Sequence, residues 1–435
     1  MSNYKLIKNA RIIDPATNTD KIGSILIKNT KINDISFEKT INAPQGATII
    51  DAKGLVLCPG LIDTRVFTGE PGHEYKENLR SASNAAAAGG VTTFVMMPDT
   101  MPIIDNTALV DFIIRRAKAT AKVNILPAAA ITKGLKGKQL SEFGLLKKAG
   151  AVCFTDGRFS LGSTATLKSA FTYAANFKMP IINHLNDEGL GASGVVNEGL
   201  MATGLGLKGI PKEAETIPLE RDLQLALKSG VKYHGAQISS ASSVEIMRRH
   251  KKTNSNITCG VSINNLSLNE NDVGSYRTFF KLSPPLRSED DRAALVNGLN
   301  EGIIDIIHSG HDPQDVEVKR QPFAQAGDGA IGLETMLSAA LRLYHSGESD
   351  LITILSAMTI KPAKLLKLKS GRIKIGSPAD LILFDIDFPW VVDESKLLSR
   401  SKNTTFEQAK LSGKVFYTFV SGQEVYSQKG ENNVT

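Results

Sequence analysis

Cysteine is scarce in this chain: three in 435 residues, at Cys58, Cys153 and Cys259, with no Cys-x-x-Cys spacing. That scarcity argues against a disulfide framework or a cysteine zinc site. Each lies in an apolar or strand-like stretch and reads as a small buried hydrophobe. No apolar run approaches the roughly 18 residues that cross a bilayer, and the opening MSNYKLIKNARIID lacks the apolar core of a signal peptide. A cytoplasmic protein with no membrane partner is expected. The formal charge of +7 is spread thinly, and its densest cluster, Arg248-Arg249-His250-Lys251-Lys252, reads as a solvated helix end. Nucleic acid is therefore not an expected partner.

What remains is ordinary globular composition, 42% hydrophobic and 22% charged, in a chain long enough for one large α/β barrel and a small accessory domain. Residues 4–13, 24–28 and 30–36 are short alternating segments between turns, and the same texture returns at 371–385 and 413–426. These predict strands from both ends that complete one small β-sandwich. Between them, apolar strands are followed by helical stretches of roughly ten to fifteen residues, the mark of repeated βα units. Candidate strands fall at 90–97, 122–130, 150–156, 179–185, 231–239, 258–263 and 303–310. The expected fold is α/β, a (β/α)8 TIM-like barrel over 56–370 with a β-sandwich built from 1–55 plus 371–435. The C-terminal KGENNVT is expected to fray.

Several ordered motifs fit this plan: PGLID (59–63), EPGHEYKENL (70–79), AAAAGGVTTFVMMPDTMP (85–102), TDG (155–157), KLSPPLRSEDDR (281–292), GAIGLETM (329–336) and SPADLILFD (377–385). Some have purely structural readings. Gly89-Gly90 suits a helix end and a left-handed turn into the next strand, and Pro284-Pro285 an extended strand exit. Taken together the motifs resemble the class I dihydroorotases of the amidohydrolase superfamily over nearly the whole chain.

The resemblance implies two zinc ions at the strand C-termini and a proton-moving Asp, so each ligand position can be compared. The His-x-His pair of the first strand falls on Arg65 and Phe67, neither able to ligate zinc, and Arg65 puts a permanent cation where a dication should sit. Asp156 matches the bridging acid and His184 the next ligand, whereas Gln237 stands at the following one, with His234 an earlier structural histidine. In IIHSGHDPQ the catalytic Asp position is Gly310 and a second histidine becomes Gln314; Asp312 serves only if the register slides by two residues. The substrate clamp is altered too, with Gly69 for the family's Arg and Asp99 for its Asn.

No catalytic residue, metal ligand or cofactor is therefore expected, with zinc implied only if an altered site survives. Arg65, Glu70, His234, His308 and His311 form a possible remodelled pocket; Arg65 there holds an anion or pairs with Asp63, Glu70 or Asp156. The expected function is that of the non-catalytic dihydroorotase-like homologues, structural partners of aspartate transcarbamoylase, with a homodimer as the default assembly. The alternative is an active dihydroorotase or other cyclic-amide hydrolase with an altered metal site.

Overall fold

A computed structural model describes residues 3–191 and 193–428; the terminal KGENNVT lies outside them. The barrel grows from parallel neighbours. Leu61–Val66 pairs Val91–Met96, which pairs Asn124–Pro127. The chain then passes through single bridges at Phe154 to Pro180–Asn183, and on through Lys232–Gly235 and Ile257–Ser262 to Ile306–His308. A bridge from Val66 to His311, with the Phe67 amide donating to the His311 carbonyl at 2.9 Å, closes the ring. Each expected strand position is occupied, although 150–156 contributes only the bridge at Phe154.

Alternation turns one face of every strand inward. Ile62, Val95, Ala128, Cys153, Ile182, Ala236 and Ile306, from seven strand positions, share one buried cluster, and Phe67 joins it from the mouth. At about 25 cal/mol per Å² of apolar area this packing is the main stabilising term, and it involves no ligand position except Phe67. All three cysteines are buried and free, as expected.

Both chain ends enter one eight-stranded sheet: Tyr4–Asp14, Thr19–Lys28, Lys31–Ser36, Thr48–Asp51, Val56–Pro59, Leu381–Val391, Lys410–Val420 and Gln423–Ser427. Val56–Pro59 pairs with both Tyr4–Asp14 and Leu381–Val391 and leads across Gly60 into the first barrel strand. The helix Leu79–Ala88 ends at Gly89, and Gly90 turns left-handed (φ 79°) into Val91–Met96, as its sequence suggests. Pro284-Pro285 lies in a loop rather than at a strand exit. The basic cluster closes the helix Ala241–Lys251, where Arg248 meets Glu301, Arg249 and His250 meet Glu220, and Lys251 meets Asp305. No helix among the described residues is long and apolar enough to cross a membrane.

Glu334, just ahead of the helix Met336–His345, accepts the backbone amides of Leu398 and Ser399 at 2.9 and 3.0 Å. Burial pushes its carboxyl up to about 7. The folded chain then keeps this proton to higher pH than the unfolded chain, whose value is about 4.3. Its contribution to stability thus falls as pH rises from about 4.3 to about 7 and is level beyond. Urea midpoints measured across that window should drop for the wild type relative to Glu334→Gln; parallel profiles would contradict the assignment.

Candidate functional site at the barrel mouth

The compared positions all fall at strand C-terminal ends. Arg65 lies in the last turn of the first strand with Phe67 just beyond it, while Asp156, His184, Gln237 and Gly310 follow the later strands. A cavity of about 230 Å³ opens among Arg65, Phe67, Arg158, His184, Gln237 and Gly310.

Arg65 is 4% exposed. Its Nη1 donates to the Gly157 carbonyl at 3.2 Å, and its guanidinium lies 5.2 Å from the centre of the Phe67 ring. Burial, the dominant effect, pushes its pKa down to about 10, so it stays charged at neutral pH. The expected side-chain pairing with Asp63, Glu70 or Asp156 is not what forms. Asp63 accepts the backbone amides of Arg65 and Ser309. Glu70 turns to Arg116 Nε at 2.7 Å and the Leu79 amide at 2.8 Å. Asp156 accepts from the Ile131 and Thr132 amides and, at 2.6 Å, from the Thr132 hydroxyl.

The pairing cation is Arg158, which sequence reasoning missed. Its Nε reaches Asp99 at 2.6 Å while Nη1 and Nη2 grip Asp312 at 3.0 and 3.3 Å. Its guanidinium also covers the Phe67 ring at 4.5 Å, so one aromatic face system carries two cations. Asp99, expected as an acid facing a substrate acid, is thus neutralised within the protein. Asp312 faces the cavity but is bound to Arg158 rather than standing free as a base.

The expected histidine pocket does not assemble as one site. His184 alone of the four histidines lines the cavity; its Nδ1 has no partner, and burial, then Arg65 and Arg158, push its pKa down to about 3. His234 is tied by Nδ1 to Thr258 at 2.8 Å and, like His308, lies beside Gly260 inside the barrel. His311 is buried against Glu77 at 3.6 Å. Gln237 donates to Asn265 at 3.1 Å.

These donors do not fit a pair of zinc ions. Of the four histidines with an unpartnered ring nitrogen, only His184 lines the cavity, and with Asp156 already holding three hydrogen bonds the set falls short of the four ligands usual for even one zinc. Among the described residues no group of three or more His, Cys, Asp or Glu side chains could hold a metal ion. A dication about 4 Å from a guanidinium meets repulsion on the order of 8 kcal/mol at an effective dielectric of about 20. The backbone at the substituted glycines is also unsuited to the side chains they lack. Gly310 has φ 64°, and a Cβ there would lie 2.7 Å from Ser262 Oγ; Gly69 has φ 71°, with the His73 carbonyl 2.6 Å from its would-be Cβ. Neither position accommodates the family's Asp or Arg without rearrangement.

Arg158→Ala should strand Asp99 and Asp312. Because the Arg158 side chain is 38% exposed, the loss is discounted to about 1–3 kcal/mol. Arg158→Lys should restore only part, since a point charge cannot grip both carboxylates. An unchanged urea midpoint in the alanine variant would contradict this tie.

Comparison with known proteins agrees with the barrel and its motifs. The family described as Dihydro-orotase-like matches residues 54–243. The dihydroorotase of Ehrlichia canis is 42% identical over 422 residues, covering 96% of this chain and 94% of that one. That of Geobacter metallireducens is 39% identical over 423 residues, covering 97% and 99%. The L-hydantoinase (dihydropyrimidinase) of Arthrobacter aurescens matches with a TM-score of 0.89 at 26% identity, over 99% of this chain and 97% of that one. None of these names marks a non-catalytic protein, so the expected inactive homologue draws no support from them. With 42% identity across nearly its whole length to a dihydroorotase, the chain belongs to the dihydroorotase-like family of the amidohydrolase superfamily.

Proposed function

We propose that the protein serves pyrimidine biosynthesis in the cytoplasm as a dihydroorotase-type protein, with the barrel mouth as its site for a cyclic amide or the acid formed by opening it. The observation that carries this is the full-length likeness to proteins named dihydroorotase, 42% identical over 96% of the chain. The chemistry proposed is ring opening and closure at an altered site, not at the family's zinc pair, whose donors are missing at Arg65, Phe67, Gln237 and Gly310. At that site neutral His184 supplies an open ring nitrogen able to accept a hydrogen bond. The cavity amides of Asn186, Gln237 and Asn264 orient the ring.

One specific observation favours a second reading. The buried Arg65, the Phe67 ring and the Asp99–Arg158–Asp312 bridge occupy the mouth where the nucleophile of a zinc hydrolase would form. In that reading the barrel has given up hydrolysis and supports aspartate transcarbamoylase as a structural partner, the role the sequence resemblance implies.

Dihydroorotate hydrolysis and carbamoyl aspartate cyclisation, followed with purified protein with and without added zinc, decide between them. The first reading expects turnover at least about a thousandfold above the uncatalysed rate, the low end of general acid–base and positioning effects combined. Background rates, with co-elution on gel filtration beside the transcarbamoylase of the same organism, would overturn it for the second.

A further inference from the structure

The geometry points to a metal-independent receptor for a small monocarboxylate at the barrel mouth, with Arg65 as the anchor that takes the carboxylate. This inference rests on the reading of the mouth as a ligand site but not on any turnover there.

Four observations converge. Arg65 is almost fully buried, yet no carboxylate oxygen among the described residues lies within 4.0 Å of its guanidinium, because Arg158 takes both Asp99 and Asp312. Asp99, Asp312 and Asp63 attract it only from beyond that distance, so the buried guanidinium keeps a desolvation cost that a ligand carboxylate in direct contact would offset. Second, the unpartnered Nδ1 of buried His184 belongs to the same cavity wall. Third, the cavity holds about 230 Å³, room for roughly seven waters at about 30 Å³ each and hence for a small ring with its carboxylate.

The fourth is the chemistry of the remaining wall. Asn186, Gln237, Asn264, Ser262 and Ser283 bring amides and hydroxyls without charge. Gln237 spends its Nε2 on Asn265, and Asn264 spends its Oδ1 on the Thr405 hydroxyl. The Gln237 carbonyl is left to accept a ligand N–H and the Asn264 amine to donate to a ligand carbonyl. Those complements suit an amide or ureido group. The far wall carries Asp312, bound to Arg158, and Asp328, whose carboxyl burial pushes upward and which lies near Lys281 and Lys319. A second ligand carboxylate would face these acids, which is why a monocarboxylate is preferred over a diacid.

Calorimetric titration of EDTA-treated, full-length protein tests this, using dihydroorotate, its uncharged counterpart dihydrouracil, and carbamoyl aspartate. Dihydroorotate should bind at least about tenfold more tightly than either of the others, a factor worth about 1.4 kcal/mol. Arg65→Met should remove that preference while leaving dihydrouracil binding unchanged. If Arg65→Met fails to fold, Arg65→Lys serves: it keeps the charge, loses the planar fork, and should weaken dihydroorotate binding severalfold. Equal binding of charged and uncharged rings, binding that returns only with zinc, an undiminished preference in the Arg65 variants, or no binding at all would overturn the inference. Tight binding without turnover would leave it standing and remove the hydrolytic reading; turnover indifferent to Arg65 would do the reverse.

Discussion

Everything at the barrel mouth follows from the way two guanidinium groups share one aromatic ring. Phe67 extends the apolar interior to the rim, Arg158 lies over it and draws in Asp99 and Asp312, and Arg65 is left buried with no carboxylate among the described residues within 4.0 Å. Desolvation makes that arrangement consequential. In water, such charges interact at about 1 kcal/mol, whereas in a partly buried mouth the same separations are worth several times more. A cation so placed excludes a second cation and favours an anion, in place of the dications that the family's motif would hold.

The scaffold is insensitive to this replacement. Barrel closure depends on backbone pairing between Val66 and His311, and the interior packs Ile62, Val95, Ile182 and Ile306 beneath the mouth. The altered positions are nonetheless not simple side-chain deletions, since Gly69 and Gly310 adopt left-handed conformations in which an added Cβ would lie 2.6 Å from the His73 carbonyl and 2.7 Å from Ser262 Oγ. Restoring single residues would therefore not restore a zinc site. The family resemblance and the changed mouth coexist because packing and chemistry occupy different layers of the same strands.

The barrel strands and the places of Arg65, Phe67, Asp156 and His184 at their ends were legible because periodicity and motif order are local signals, whereas the termini, expected as a β-sandwich, are seen to enter one eight-stranded sheet. The partner of Asp99 was not. Arg158 is near TDG in sequence, but its reach to residues 59 and 154 positions away depends on the closed barrel. Glu70 was misplaced for the same reason, as its partner Arg116 comes from the helix Thr107–Thr120 packed outside the strands. His234, His308 and His311 share a residue type but not a destination, and only folding separates the one cavity-lining histidine, His184, from those held in the interior.

In the reading proposed above a guanidinium, rather than a bound metal ion, governs the mouth. Crystals grown with excess zinc and measured on both sides of the zinc absorption edge test it most directly. The account predicts no anomalous peak within bonding distance of His184 and Asp156, with the Arg65 guanidinium in place. A strong peak bridging those two side chains, with Arg65 swung aside, would contradict it.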